Sequence, residues 1–134
     1  MKYLLDTNIC IYIINESPPG VLDRFRRHDI GDVAVSSVTV AELAYGIEKT
    51  GSKRNERALR QFLIPLEVID FAADDALVAA SIRVALEKKG APIGPYDMLI
   101  AAHAKARGLT LVTNNEREFT RVPGLHVQNW ADDA

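Results

Sequence analysis

Acidic residues from four separate segments stand where an α/β chain does its chemistry. Asp6 closes the first apolar run, Met1-Lys2-Tyr3-Leu4-Leu5, and is followed by Thr7-Asn8 and the apolar-periodic stretch Ile9 to Ile14. A short run that stops on a carboxylate and enters a helical period reads as a buried strand feeding a helix. In open α/β sheets the ligand crevice lies beyond the carboxyl ends of the strands. Asp, Thr and Asn also favour helix N-termini, so Asp6 either caps the helix or faces that crevice. Glu42 falls about one turn into the helix after the second strand, and Asp97 in the first turn of the helix after Gly94-Pro95. Asn115, Glu116 and Glu118 follow the fourth strand directly, after Thr113-Asn114.

Each of these has a structural alternative. Thr39-x-x-Glu42 fits a capping box, in which the Glu reaches back to the cap N–H. Asp97 suits the positive end of a helix dipole. Asn115 is a good turn residue, and Glu116 and Glu118 lie in a polar turn. Yet Leu99, Ile100, Ala101 and Ala102 make the Asp97 helix strongly apolar, and a carboxylate at its buried start requires a partner. All four segments reach the same end of the sheet. Like charges gathered in a cleft need raised pKa values or a cation. An all-oxygen donor set selects Mg²⁺ or Mn²⁺ over zinc. His28, His103 and His126 form no pair at metal-ligand spacing and read as exposed or core residues.

The elements that must position these acids alternate along the chain. Strands are expected at Lys2–Leu5, Asp32–Ser36, Leu66–Asp70 and Thr110–Thr113, with a short last one inside Val122–Asn129. Helices are expected over Thr7–Asn15, from Pro18-Pro19-Gly20 to Arg27, and over Ser37–Ile47, Asn55–Leu63, Asp74–Lys89 and Tyr96–Arg107. Strands separated by helices imply parallel pairing, so the fold class is α/β, a three-layer sandwich around a mostly parallel sheet.

At 134 residues, with 48% hydrophobic and 25% charged, the chain fits a single globular domain spanning 1–134. The lone cysteine, Cys10, lies in the first helix as a small core residue. Lys2 precedes too short an apolar run for a signal peptide, and no stretch approaches a membrane span, so the cytoplasm is the expected compartment. A net charge of −2 excludes a generally basic nucleic-acid binder. Local cationic groups remain at Arg24, Arg26, Arg27 and His28, and at Lys49, Lys53, Arg54, Arg57 and Arg60, where a solvated helix face is the ordinary role.

Four motifs in order carry a resemblance that runs nearly end to end. They are Leu4-Leu5-Asp6-Thr7-Asn8; Ser36-Ser37-Val38-Thr39-Val40-Ala41-Glu42-Leu43-Ala44-Tyr45-Gly46; Gly94-Pro95-Tyr96-Asp97-Met98-Leu99-Ile100-Ala101-Ala102-His103-Ala104; and Leu111-Val112-Thr113-Asn114-Asn115-x-x-Glu118-Phe119. The chain resembles PIN-domain ribonucleases and, within them, the VapC toxins of bacterial toxin–antitoxin pairs. The resemblance implies that Asp6, Glu42 and Asp97 are the catalytic acids of a Mg²⁺- or Mn²⁺-dependent endoribonuclease, with Asp6 and Asp97 on the metal. The family often has a fourth acid after the last main strand, and here that slot holds Asn115, with Glu118 three residues on.

In this reading Glu42 orients or deprotonates the attacking water, giving a 5′-phosphate and a 3′-hydroxyl. The hydroxyls of Thr7, Ser37 and Thr113 are expected to hydrogen-bond the carboxylates. The substrate would be single-stranded RNA, a tRNA such as the anticodon loop of the initiator tRNA. The resemblance further implies a homodimer and a VapB-type antitoxin whose tail blocks the cleft. A haloacid-dehalogenase-like phosphatase is the competing enzyme, but it wants a second Asp where Asn8 stands. A phosphoacceptor receiver domain would need an acidic neighbour for Asp6 and a Lys after Thr113. A PIN module that binds RNA without cutting is the third alternative, which the three acids oppose and Asn115 leaves open.

Overall fold

The computed structural model describes residues 1–131. The last three residues of the expected 1–134 domain lie outside the described residues. The elements are β1 (Tyr3–Leu5), α1 (Thr7–Asn15), α2 (Pro19–Arg26), a 3₁₀ turn (Ile30–Asp32), β2 (Val33–Ser36), α3 (Ser37–Thr50), α4 (Lys53–Leu63), β3 (Glu67–Ile69), α5 (Ala73–Lys88), α6 (Pro95–Ala106), β4 (Thr110–Val112), α7 (Glu116–Phe119) and β5 (Val127–Gln128). The five strands form one sheet in the order β3-β2-β1-β4-β5, and every neighbouring pair is parallel.

Strand alternation divides the core between the two faces of this sheet. Leu4 stands in register with Ala34 and Leu111, and these pack against Ala79, Ile82 and Leu86 of α5, Ile100 to Ala104 of α6 and Phe119 of α7. Leu5 stands in register with Val35 and Val112 and packs the opposite way, against Ile9, Cys10 and Ile13 of α1, Val21 of α2, Leu43 of α3 and Leu59 of α4. All four residues of β2 are buried, as expected of a strand covered on both faces, whereas Glu67 and Val68 of the edge strand β3 are exposed. Cys10 is a buried free thiol of that second core.

The chain steps outward from β1 to β2 to β3, then crosses back to lay β4 on the other side of β1. This reversal opens a crevice between the carboxyl ends of β1 and β4, the ordinary ligand position in such sheets. Asp6 follows β1 and Thr113 follows β4, one on each lip of it. Most boundaries shift from the sequence expectation by one or two residues, and two departures are larger. Helix α3 runs on to Thr50, because Gly51 supplies the left-handed cap (φ 67°) that ends it. The polar turn expected after β4 is the short helix α7, pinned by the fully buried Phe119.

Candidate active site

Asp6 fills both of the roles open to it. One carboxylate oxygen, Oδ1, accepts from Thr7 N at 2.8 Å and so caps α1, while Oδ2 accepts from Thr113 Oγ1 at 2.8 Å across the crevice. The side chain is 3% exposed. Burial raises its pKa, the two hydrogen bonds pull it back down, and the charges of Glu42 and Glu118 push it up again.

Glu42 comes to the same place from α3. Its helix is capped by Ser36, whose Oγ accepts from Val38 N at 3.0 Å, so Glu42 lies too deep in α3 for the capping-box role. Its Oε1 accepts instead from Thr7 Oγ1 at 2.7 Å, and the Thr7 and Thr39 hydroxyls lie 3.2 Å apart. Asp97 enters from the start of α6, whose N-cap is Gly94 with Pro95 behind it. Burial drives the Asp97 carboxyl up to about 7, and Asp6, a hydrogen bond with Glu118, and the charges of Glu118 and Glu42 add to the rise.

Glu118 closes the cluster from α7. Its Oε1 accepts from Gly94 N at 3.2 Å, which satisfies an N–H that the side-chain-free cap of α6 leaves open. Its Oε2 accepts from Asn115 Nδ2 at 2.6 Å, and Asn115 N donates to Thr113 Oγ1 at 3.0 Å. Asn115 therefore reaches the acids through its amide and holds Glu118 in place. Glu116, by contrast, is exposed.

Two of the three hydroxyls expected at the carboxylates, Thr7 and Thr113, reach them. Ser37 does not: its Oγ accepts from Phe71 N at 3.0 Å, tying the start of α3 to the end of β3. Ser37 follows the Ser36 cap directly, and its hydroxyl is engaged by the backbone just after β3. Sequence reasoning also passed over a buried polar chain behind the acids. His103 Nδ1 lies 2.8 Å from Ser36 Oγ, and its Nε2 faces Asp75 Oδ2 at 3.6 Å. Asp75 in turn accepts from Ala72 N at 2.7 Å and from Arg107 Nε at 3.1 Å. The only sequence signal was a histidine within the apolar run of α6, which a core role explains equally well.

The donor set is chemically suited to a hard divalent cation, since its oxygen donors are carboxylates and the charges of Glu42 and Glu118 both bear on Asp6 and Asp97. Among the described residues no three acidic, His or Cys side chains close on a common point at ligand spacing. Each carboxylate instead satisfies itself on a neighbouring hydroxyl, amide or acid. Mg²⁺ usually keeps several waters and takes only one or two carboxylates directly, so Asp6 and Asp97 are the pair that would hold it. Cavities of about 240 and 400 Å³ flank Glu42, the first between α1, α3 and α4, the second at Tyr45 and Tyr96. Another of about 280 Å³, lined by Arg83, Leu86 and Met98, touches none of the four acids.

Fold and acids together match a known class. Residues 3–125 fit the PIN domain model, and the chain belongs to that family. Within it, the chain is one of the VapC ribonucleases. It is 43% identical over 131 residues to the tRNA(fMet)-specific endonuclease VapC of Salmonella typhimurium, covering 97% of this chain and 98% of that one. It is 45% identical over 134 residues to ribonuclease VapC2 of Rickettsia felis, with coverage of 97% and 98%. The crystal structure of DNA-bound VapBC from Salmonella typhimurium superposes with a TM-score of 0.87 at 44% identity, over 97% of this chain and 98% of that one.

Proposed function

We propose that this chain is the toxin of a VapBC-type pair, an endoribonuclease that hydrolyses RNA phosphodiesters with the aid of Mg²⁺ or Mn²⁺. The observation that supports it best is the meeting of Asp6, Glu42, Asp97 and Glu118 at the switch point of the sheet, with Asp97 pushed to about 7. The relatives' names support RNA as the substrate and tRNA, the initiator tRNA in particular, as the target. VapBC complexes among the related structures support a VapB-type antitoxin as partner, and the same reading includes a homodimer acting in the cytoplasm. No helix of the described residues is long and apolar enough to cross a membrane.

Asp6 and Asp97 would hold the cation. When bound, it neutralises charge on the phosphoryl oxygens and lowers the pKa of water. Asp97, which shares a proton with Glu118, would have to give it up to serve as a ligand. Asp6 is ready to ligate because Thr113 and Thr7 fix both of its oxygens. Glu42 has one oxygen engaged by Thr7, which leaves the other to take a proton from the attacking water. The water oxygen would bond to phosphorus as the bond to the 3′ oxygen breaks, and that oxygen would take a proton from solvent, giving a 5′-phosphate and a 3′-hydroxyl.

Protein freed of antitoxin is expected to cleave RNA with Mg²⁺ or Mn²⁺ and to stop in EDTA. Asp6→Ala and Asp97→Asn should each abolish cleavage. Undiminished cleavage in chelator would overturn the metal requirement, and undiminished cleavage by both variants would overturn the assignment of these residues.

A further inference from the structure

Two large aromatic side chains stand in the open beside the acids. Tyr45 is 66% exposed and Tyr96 56% exposed. Both line the cavity of about 400 Å³ that has Glu42 and Ala41 in its wall. Their placement follows from the same local geometry as the acids. Tyr45 lies three residues after Glu42 on α3 and therefore on the same helix face. Tyr96 immediately precedes Asp97 in the first turn of α6. Lys49, one turn beyond Tyr45, holds its Nζ 5.9 Å from the centre of the Tyr45 ring.

Resting on the reading of this chain as a ribonuclease, we infer that Tyr45 and Tyr96 form a seat for one unstacked nucleobase next to the phosphodiester that is cut. The volume lies within the ~300–1,000 Å³ range of small-ligand clefts. A phosphate placed in this cavity would meet the Glu42 carboxylate, whereas a base brings no charge and a flat apolar face. Bases splayed from single strands stack on aromatic side chains, and a base–tyrosine stack is tolerant of base identity. The cation at Lys49 lies where the next phosphate of a strand leaving the seat would be attracted. Paired RNA keeps its bases inside the helix, so the seat selects loops and single strands. This gives the site a preference for unpaired RNA that the carboxylates alone do not provide.

The test uses single-stranded RNA carrying 2-aminopurine at each position in turn, with quenching of its fluorescence reporting stacking on binding, and unlabelled RNA reporting cleavage with Mg²⁺. The wild-type protein should quench one position strongly. Tyr45→Ala and Tyr96→Ala should each lose that quenching and raise KM by about tenfold, the order of one lost base–aromatic stack, with a smaller change in kcat. Tyr45→Phe and Tyr96→Phe should restore both, since the ring does the stacking. Both tyrosines are exposed, so the Ala variants should keep the wild-type urea midpoint.

Ala variants with unchanged quenching and KM would overturn the seat, as would Phe variants as impaired as the Ala ones. Ala variants that bind RNA normally but lose affinity for the antitoxin would assign the surface to a protein partner and overturn it too. A wild-type protein that cleaves RNA without quenching any position refutes the seat alone. One that neither binds nor cleaves RNA refutes the ribonuclease reading and the seat with it.

Discussion

Burial, first among several causes, pushes the Asp97 carboxyl up to about 7 in the folded protein, well above its ordinary value of 3.8 in an unfolded chain. Between those two values the unfolded chain binds fewer protons than the folded one, so the Asp97 contribution to stability falls as pH rises through that window. In chelator, Asp97→Asn should therefore gain stability relative to wild type between pH 4 and pH 7, read from urea midpoints; a constant difference would contradict the shift. The same carboxyl must lose its proton to ligate, so metal affinity should fall as pH drops below 7. Thr113 acts on Asp6 in the opposite sense, because its hydrogen bond lowers a pKa that burial raises. Thr113→Val keeps the shape and removes that bond. Metal binding is expected to weaken about 10- to 100-fold, the usual cost of losing such a support, and Mn²⁺ titration calorimetry checks it.

Helix α7 spans only four residues, far too few to persist alone, and stands because Phe119 is fully buried against the α5–α6 side of the sheet. It carries Glu118 to the N-terminus of α6. Phe119→Ala should cost about 3–5 kcal/mol in urea unfolding and release Glu118, lowering activity even where the protein stays folded. Phe119→Leu should recover most of both. A loss of stability with no change in activity per folded molecule would deny α7 its positioning role. The longer elements were legible from sequence, because Ile9 to Ile14 and Leu99 to Ala104 carry strong apolar patterns and Gly51, Gly90 and Gly108 mark ends. Helix α7 was not, since Glu116, Arg117 and Glu118 resemble any polar turn and only a tertiary contact of Phe119 makes them helical. The meeting of Asp6, Glu42 and Asp97 could be read because Asp6 stands at a strand end, Asp97 in the first turn of a helix and Glu42 about one turn into the helix that follows a strand. The hydrogen bonds of Ser37 and His103 could not, because both depend on residues more than thirty positions away.

The whole molecule brings like charges together from residues 6, 42, 97 and 118, and its neighbouring elements hold them there at some cost in stability. A divalent cation should relieve that cost. Mg²⁺ or Mn²⁺ at a hundredfold excess over its Kd should stabilise the fold by about 2.7 kcal/mol, seen as a rise of several degrees in Tm. The double variant Asp6→Asn, Asp97→Asn should melt higher than wild type in EDTA and show no such rise; an equal rise in both would place the ion elsewhere. The strand order has a further consequence for when the activity first exists. Strand β4 lies inside the sheet, between β1 and β5, but is made late, and Thr113, Asn115 and Glu118 come with it. A growing chain that has emerged through α6 already holds Asp6, Glu42 and Asp97, yet lacks the strand that sets Asp6 opposite its hydrogen-bond donor. The acid cluster is thus complete only once the chain has been made through α7, and a nascent chain that stops at α6 carries three of its acids without the partners that fix Asp6 and the start of α6.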